Sequence, residues 1–387
     1  VLIDRLEKRL TDWREEGLYR DLHELQSPMQ AQVLNKGCEQ RVFCSSNYWG
    51  LANHPKQKQA MIKAIEQYGV GTGASHLVVG YGELHRQAEK AFADYYGFES
   101  AILFSCGYMA NIGVLQALLT REHTSYQDRL NHASLLDGAQ LAGAKLKRFR
   151  HLDYDHLESM LACDDAPSLV ASDTVFSMQG DEADCERLKN LCRQYGATLL
   201  LDDAHGVGVV GKDGRGSLVK WGLTADDVDL YICPLGKAFG SFGAMVLSDE
   251  KTVKALRQFS RSYVYTTAMP AALAAAAKQA LQIMQEETWR HNRLQELIAY
   301  FKERAAHCLI PLKPSNTAIQ VLPIGDTQRA TQLAHFLLKT GFLVTAIRQP
   351  TVPAGSELLR FTLNVGQTEK DIDELMDAIQ SGMTMYD

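Results

Sequence analysis

The chain has 387 residues, 46% of them hydrophobic, a formal net charge of -6 and eight cysteines. That length is too great for one small core and predicts two domains or one large α/β domain with additions, while the negative charge excludes general affinity for nucleic acid. The cysteines form no CxxC pair and no tight Cys/His cluster, so no metal site is expected and reduced thiols in the cytoplasm are.

Taken in order, residues 2 to 16 put Leu2, Leu6, Leu10 and Trp13 on one face of a helix, an amphipathic arm. A polar, irregular passage follows, with a short strand expected at Arg41 to Cys44; within it Arg20 reads on its own as a solvated charge. From Pro55 helices and short apolar strands alternate. Helices are expected at Gln57 to Tyr68, Glu83 to Tyr96, Tyr108 to Leu119, Ala133 to Ala142, Asp153 to Ala162 and Asp184 to Tyr195, with strands at Ala101 to Phe104, Leu146 to Phe149 and Leu169 to Asp173. Such alternation predicts a mostly parallel sheet covered by helices on both faces.

After Met284 the texture changes to a long helix, Glu287 to His307, and a smaller α/β unit. Its strands are expected near Ala318 to Leu322, Phe342 to Ala346 and Leu358 to Leu363, its helices at Thr327 to Lys339 and from Glu369. The expected division is an arm (1–49), a large domain (50–284) and a small C-terminal domain (285–387). The longest apolar block, Ala268 to Ala277, contains Pro270 and ends at Lys278. It falls far short of the roughly 20 residues that span a bilayer, so a soluble protein is expected. The basic run "KLKRFR" (Lys145 to Arg150) alternates charged and apolar residues, the pattern of a half-exposed strand rather than an anion site.

Chemistry concentrates between Leu199 and Lys237. In "LLLDD" the apolar run stops at Asp202, placing Asp202, Asp203 and His205 at the carboxyl end of a buried strand, where open α/β sheets bind ligands. A second apolar strand, Asp229 to Cys233, leads directly to Lys237 among small residues. A buried acid calls for a cationic partner, and a desolvated lysine is an amine nucleophile. These are the two groups that pyridoxal phosphate requires, an acid for the ring nitrogen and a lysine for the aldehyde. A turn-capping aspartate and a surface lysine would account for the same residues.

Gly206, Gly208 and Gly211 formally match GxGxxG, the mark of the rival dehydrogenase reading, but the turn-rich "KDGRGS" follows where a helix should begin. A non-catalytic scaffold is a second rival. The glycine-rich Gly69 to His85 can present amides to an anion or line a cleft. Gly107 opens a helix whose amides suit a phosphate; His132 precedes a helix and can cap it, stack on a ring or move a proton; Ser177 follows a strand end.

The segments "NHASLLDGA", "TVFSMQGD", "LLLDDAHGVGVVGKDGRG", "LGKAFG", "YTTAMP" and "AIRQPTVPAGSELLRFTL" occur in the order seen in the α-oxoamine synthases, which the chain resembles over essentially its whole length. The resemblance implies fold type I of the pyridoxal-phosphate enzymes, the aspartate aminotransferase-like α/β architecture, in a cytoplasmic homodimer with its active site at the subunit interface. It implies decarboxylative condensation of an amino acid with an acyl-CoA or acyl-carrier-protein thioester. "AIRQPTVPAG" and "TAIQVLPIGD" are most like the members that join L-alanine to a pimeloyl thioester in biotin biosynthesis; glycine acetyl-transferring relatives share most of the other motifs.

Carried over, the resemblance makes Lys237 the Schiff-base lysine and Asp202 the partner of the ring nitrogen. His205 and Ser177 would approach the phenolic oxygen, His132 would stack on the ring, and Gly107 and Tyr108 would lie at the phosphate and ring edge. Thr266 and Thr267 would reach the phosphate of the other subunit. Arg360 would bind the amino-acid carboxylate; Arg20, Ser46, Asn47, Arg348 and Thr351 would contact substrate. The chain departs from the family at Pro234, where a threonine or serine is usual, and at "SSNYWG" (Ser45 to Gly50), Gln179, Ala74 and His76. Proline has no hydroxyl and no N–H, so phosphate binding must rely on other donors.

Overall fold

The structure is a computed structural model that describes residues 2–164 and 168–386. The chain divides into two compact units, Leu51–Ser177 with Asp181–Asn292, and Val1–Gly50 with Met178–Gly180 and Arg293–Asp387. The arm is therefore grouped with the C-terminal part, and the boundaries fall at Gly50 and Asn292 rather than at 49 and 284. The reason is strand pairing. Strands β1 (Gln32–Asn35) and β2 (Cys38–Val42) form a hairpin whose turn holds Lys36 and Gly37 at φ 49° and 78°, and β2 also pairs in parallel with a C-terminal strand described below.

The larger unit holds seven strands: β3 (Ser100–Phe104), β4 (Thr124–Asp128), β5 (Lys145–Phe149), β6 (Leu169–Asp173), β7 (Thr198–Asp202), β8 (Leu230–Pro234) and β9 (Ala244–Ser248). They pair in the order β3-β9-β8-β7-β6-β4-β5. All run one way except β9, which is antiparallel to both neighbours. The inner strands are buried on both faces, so they read as continuous apolar runs. The polar β4, "TSYQD", is equally buried and is not visible as a strand in the sequence. β5, the "KLKRF" strand, lies at the sheet edge with mostly exposed or half-buried positions.

Helices cover the sheet. Gly107–Leu118 contributes Ala110, Val114 and Leu115 to the same core as Ile102, Leu200 and Ile232. The alanine-rich helix Ala271–Glu286 buries Ala272, Ala276 and Ala280 and packs on Pro55–Tyr68 and Glu83–Tyr96. Asp153, Asp184 and Asp249 cap the helices that follow them by accepting the amides of His156, Arg187 and Thr252, each cap worth about 1 kcal/mol.

In the smaller unit, β10 (Ile319–Pro323), β12 (Thr345–Ile347) and β13 (Leu358–Thr362) form an antiparallel sheet in the order β10-β13-β12; the short β11 (Phe342–Leu343) joins β2 instead. The strand expected over Phe342 to Ala346 is thus two strands serving different sheets. Helices Trp289–His307, Thr327–Lys339 and Glu369–Tyr386 accompany them. Helix Leu2–Glu15 buries none of its residues, and the apolar stripe of Leu2, Leu6 and Leu10 faces solvent. Among the described residues no helix is long and apolar enough to cross a membrane, and no group of side chains is placed to hold a metal.

Candidate active site

Three parallel strands of the larger unit end side by side. Asp173 closes β6, Asp202 closes β7 and Pro234 closes β8; Asp173 is the register partner of Asp202, and Asp202 of Ile232. The ends of strands in an open α/β sheet leave a crevice, and here a cavity of about 230 Å3 opens among Gly107, Asn111, His132, Asp202, His205 and Lys237. Tyr108, Ser177 and Phe242 are also in its wall.

The two adjacent aspartates have different duties. Asp203 is fully buried, taking the amide and hydroxyl of Ser217 at 2.8 and 2.7 Å and the hydroxyls of Thr174 and Tyr231. It is a structural anchor, and it explains the glycines behind it: a Cβ at Gly206 would sit 1.8 Å from Asp203 Oδ1. Gly206 serves this packing, Gly211 lies against the Gly216 carbonyl instead, and a short 3-10 turn, Lys212–Gly214, stands where a dinucleotide fold needs a helix. Asp202 lines the cavity, its Oδ2 accepting from Asn111 Nδ2 at 2.7 Å and its Oδ1 from the Ala204 amide at 3.1 Å.

Lys237 lies in a tight turn after β8, its carbonyl accepting the Gly240 amide at 2.8 Å. Gln57 pins that turn through the Phe239 carbonyl at 2.8 Å. Gly240, at φ 57°, must be glycine, because a Cβ would fall 2.2 Å from the Ala52 amide nitrogen.

His132 both caps helix Ala133–Leu141 and lines the cavity. Its Nδ1 accepts the Ser134 amide at 3.3 Å and lies 2.7 Å from Ser134 Oγ. Ser134 Oγ in turn accepts from Asn111 Nδ2 at 2.8 Å. A hydrogen-bonded chain thus runs from Asp202 through Asn111 and Ser134 to His132. Because Nδ1 is the acceptor, the neutral ring carries its proton on Nε2. Burial lowers the His132 pKa, Asp202 opposes that and Lys237 reinforces it. Asp173 accepts the His132 amide at 2.7 Å, and burial, then the neighbouring Asp202, push its carboxyl well above the usual range.

The walls fit pyridoxal phosphate. A carboxylate for a ring nitrogen, an amine for an aldehyde and an imidazole for a ring face line one cavity, and the helix Gly107–Leu118 begins at its edge. A Cβ at Gly107 would lie 3.1 Å from Pro234 Cγ, so the backbone approaches this corner closely. Pro234 offers no donor there, which leaves the helix amides for the phosphate.

The model for aminotransferase class I and II matches residues 39–379. The chain belongs to that family, as an α-oxoamine synthase. It is 47% identical over 374 residues to 8-amino-7-oxononanoate synthase from Pseudomonas entomophila, covering 97% of this chain and 96% of that one. Serine palmitoyltransferase from S. paucimobilis, solved with PLP and myriocin bound, superimposes with a TM-score of 0.93 at 27% identity over 99% of this chain and 98% of that one. The 8-amino-7-oxononanoate synthase structure from Francisella tularensis gives 0.78 at 28% identity, over 89% and 98%.

For this family member the structure gathers Lys237, Asp202, His132, His205, Ser177, Gly107 and Tyr108 at one cavity. Thr266 and Thr267 are half-buried and exposed, do not line it, and lie beside a bridge from Ser75 to Thr267. The remaining candidates belong to the smaller unit. Arg20 Nη2 donates to Thr351 Oγ1 at 3.0 Å, and Arg348 Nη2 to the Tyr19 carbonyl at 2.6 Å. Burial and the Arg20 charge lower the Arg348 pKa and the Asp21 carboxylate opposes them, so two cations and one anion share this neighbourhood. Arg360 lies in the middle of β13, 8% exposed, where its charge and a hydrogen bond act on Tyr48. Asn47 is buried and its amide is held by Ser45 Oγ at 3.0 Å; the Ser46 carbonyl accepts the Tyr48 amide at 2.8 Å. Asn111, Ser134 and Asp173 were not singled out from the sequence. Asn111, four residues after Gly107 on the same helix, is the detectable one.

Proposed function

We propose that the chain catalyses the pyridoxal-phosphate-dependent decarboxylative condensation of L-alanine with a pimeloyl thioester, carried by CoA or by a carrier protein, to 8-amino-7-oxononanoate, a step of biotin biosynthesis. One observation carries the reading: a cavity lined by Asp202, Lys237 and His132 in a chain 47% identical, nearly end to end, to a synthase of that name.

Bound pyridoxal phosphate supplies an electron sink that acidifies the Cα–H of the amino acid. Asp202 holds the proton on the ring nitrogen, and Asn111 and the Ala204 amide keep the carboxylate aimed. Lys237 Nζ would hold the aldehyde carbon, and its amine, when free, would be the base for the Cα proton of alanine. His132 would cover the ring, and its Nε2 proton would be available to the oxygen of the acyl group as charge develops there. Ser177 and His205 meet the phenolic oxygen, and the amides opening at Gly107 and Tyr108 hold the phosphate. Arg360 takes the alanine carboxylate as a bidentate partner.

The pimeloyl chain ends in a free carboxylate. The neighbouring guanidiniums of Arg20 and Arg348, with Thr351, present two cations beside one carboxylate, Asp21, a site of net positive charge suited to that end. An acetyl group has no such charge to offer, which favours the alanine and pimeloyl reading over glycine acetyl transfer.

The active form is a homodimer in which Thr266 and Thr267 serve the second copy's phosphate. Val70, Val78, Val79 and Tyr265 are each at least 71% exposed, and the Ser75 to Thr267 bridge ties the segments that carry them; contiguous apolar exposure of this kind marks a protein contact. Eight free thiols suit the reducing cytoplasm. The test pairs L-alanine or glycine with pimeloyl-CoA or acetyl-CoA and follows thiol release and product mass. Turnover with glycine and acetyl-CoA exceeding that with alanine and pimeloyl-CoA would overturn the reading.

A further inference from the structure

Outside the cavity, one histidine is gripped by two carboxylates from different parts of the larger unit. His151 lies just beyond β5, with Nδ1 2.8 Å from Asp128 Oδ1 and Nε2 2.7 Å from Asp181 Oδ2. With both ring nitrogens facing carboxylates, both must donate, so the ring is an imidazolium. Asp128 and Asp181 are the charged groups that bear on it, and the edge of Phe176 meets its ring at 4.5 Å and 88°.

Each carboxylate leads to a wall of the cofactor cavity. Asp128, the buried end of β4, also takes the Leu130 amide at 2.7 Å and the Leu152 amide at 2.9 Å. It thereby fixes the start of the loop that delivers His132. Asp181 closes a narrow hairpin: its carbonyl accepts the Phe176 amide at 2.9 Å, and the Ala183 amide reaches the Thr174 carbonyl at 2.9 Å. That hairpin presents Ser177 to the cavity. Among the described residues Asp181 Oδ1 is buried with no hydrogen-bond partner, so the charge of this carboxylate is balanced through Oδ2 and His151. The turn that presents His151 holds Leu152 at φ 53°, a left-handed conformation that a leucine adopts only when its surroundings impose it. The bond from its amide to Asp128 is what imposes it.

We propose that His151 is a positioning residue for the cofactor: as an imidazolium bridging Asp128 and Asp181 it locks the His132 loop and the Ser177 hairpin into one geometry. The proposal rests on the reading that Ser177 meets the cofactor's phenolic oxygen.

The test uses the full-length holoenzyme and the variants His151→Gln and Asp181→Asn, with Ser177→Ala as reference. The readouts are cofactor dissociation, the pH midpoint of the bound cofactor's visible absorption, and hydrogen exchange at the Phe176 amide. His151→Gln should weaken cofactor binding about tenfold, move the absorption midpoint in the direction that Ser177→Ala moves it, and speed Phe176 exchange at least tenfold; Asp181→Asn should do the same to a smaller degree. Folded variants with unchanged midpoint and unchanged exchange would overturn the proposal. If His151→Gln does not fold, Asp181→Asn, nearly the same shape, decides alone by the same criteria. If Ser177→Ala leaves the absorption unmoved, the assignment of Ser177 fails, and Phe176 exchange alone then supports or overturns the clamp.

Discussion

The strand-end cavity of the larger unit and the arginine pair of the smaller one are built in opposite ways. Around Asp202, Asn111, Ser134 and His132 bond to one another in a chain, so the groups are already set before any ligand arrives. Arg20 and Arg348 instead place two cations in one neighbourhood with the Asp21 carboxylate, each donating to a neutral oxygen. A network of side chains bonded to one another suits a cofactor that stays through every turnover; two cations that a single carboxylate offsets only in part suit an anion that comes and goes.

The comparison breaks first at Lys237. Lys237→Ala should fold, lose the cofactor adduct that borohydride reduction fixes, and lose activity by several orders of magnitude; mass spectrometry finding the reduced adduct on another lysine would displace it from its role. Next comes Asp202→Asn, which keeps the shape of the cavity but not the charge. Several kcal/mol in the proton-abstraction step is expected, roughly hundreds-fold in rate or more, read as exchange of the alanine α-proton into D2O. Near-normal exchange would show that the carboxylate does not hold the ring proton.

In the smaller unit the effects should be on binding. Arg360→Lys should leave fold and cofactor spectrum intact and weaken alanine roughly tenfold or more, because an ammonium cannot reproduce the guanidinium fork. A spectral titration with unchanged affinity beside a lowered melting temperature would make Arg360 structural. Arg348→Ala should raise KM for pimeloyl-CoA about tenfold with alanine affinity unmoved. Acetyl-CoA, which has no distal carboxylate, should respond alike in variant and parent; an equal loss with both acyl donors would remove Arg348 from carboxylate recognition.

The cavity was more legible in the sequence than the clamp or the unit boundary, for physical reasons. A buried parallel strand is a plain apolar run, so "LLLDD" announces both strand and site. β4 hides because its polar residues are satisfied by tertiary partners: Gln127 Nε2 bonds to the Leu135 carbonyl at 2.9 Å and Tyr126 to Asp164. Asp173 is the register partner of Asp202, and nothing local in "SDTVFS" declares that pairing. The grouping of the arm with the C-terminal part depends on β2 meeting β11 across about three hundred residues of chain, which no periodicity records. Arg20 is exposed, as its reading as a solvated charge expects, and its bond to Thr351, 331 residues on, is a contact that no local pattern records.

The smallest effect expected is a pH dependence at His151, and its sign follows from the two carboxylates. Although burial opposes it, bonding to Asp128 and Asp181 raises the pKa from 6.5 to about 9. A group whose pKa rises on folding stabilises the fold fully below its unfolded pKa and loses that contribution as pH climbs through the folded one. The window is therefore pH 6.5 to about 9. The shift corresponds to roughly 3 kcal/mol, and solvent reaching a ring still 23% exposed reduces it to about 2 kcal/mol. Tyrosines and lysines also titrate at the top of this range, so the melting temperature of the parent alone would not isolate the clamp. The difference between parent and His151→Gln does. It should be several degrees at pH 6 and shrink steadily above pH 7, approaching zero near pH 10; a difference that stays constant over that range would mean that His151 contributes by packing against Phe176 and not as a charged bridge.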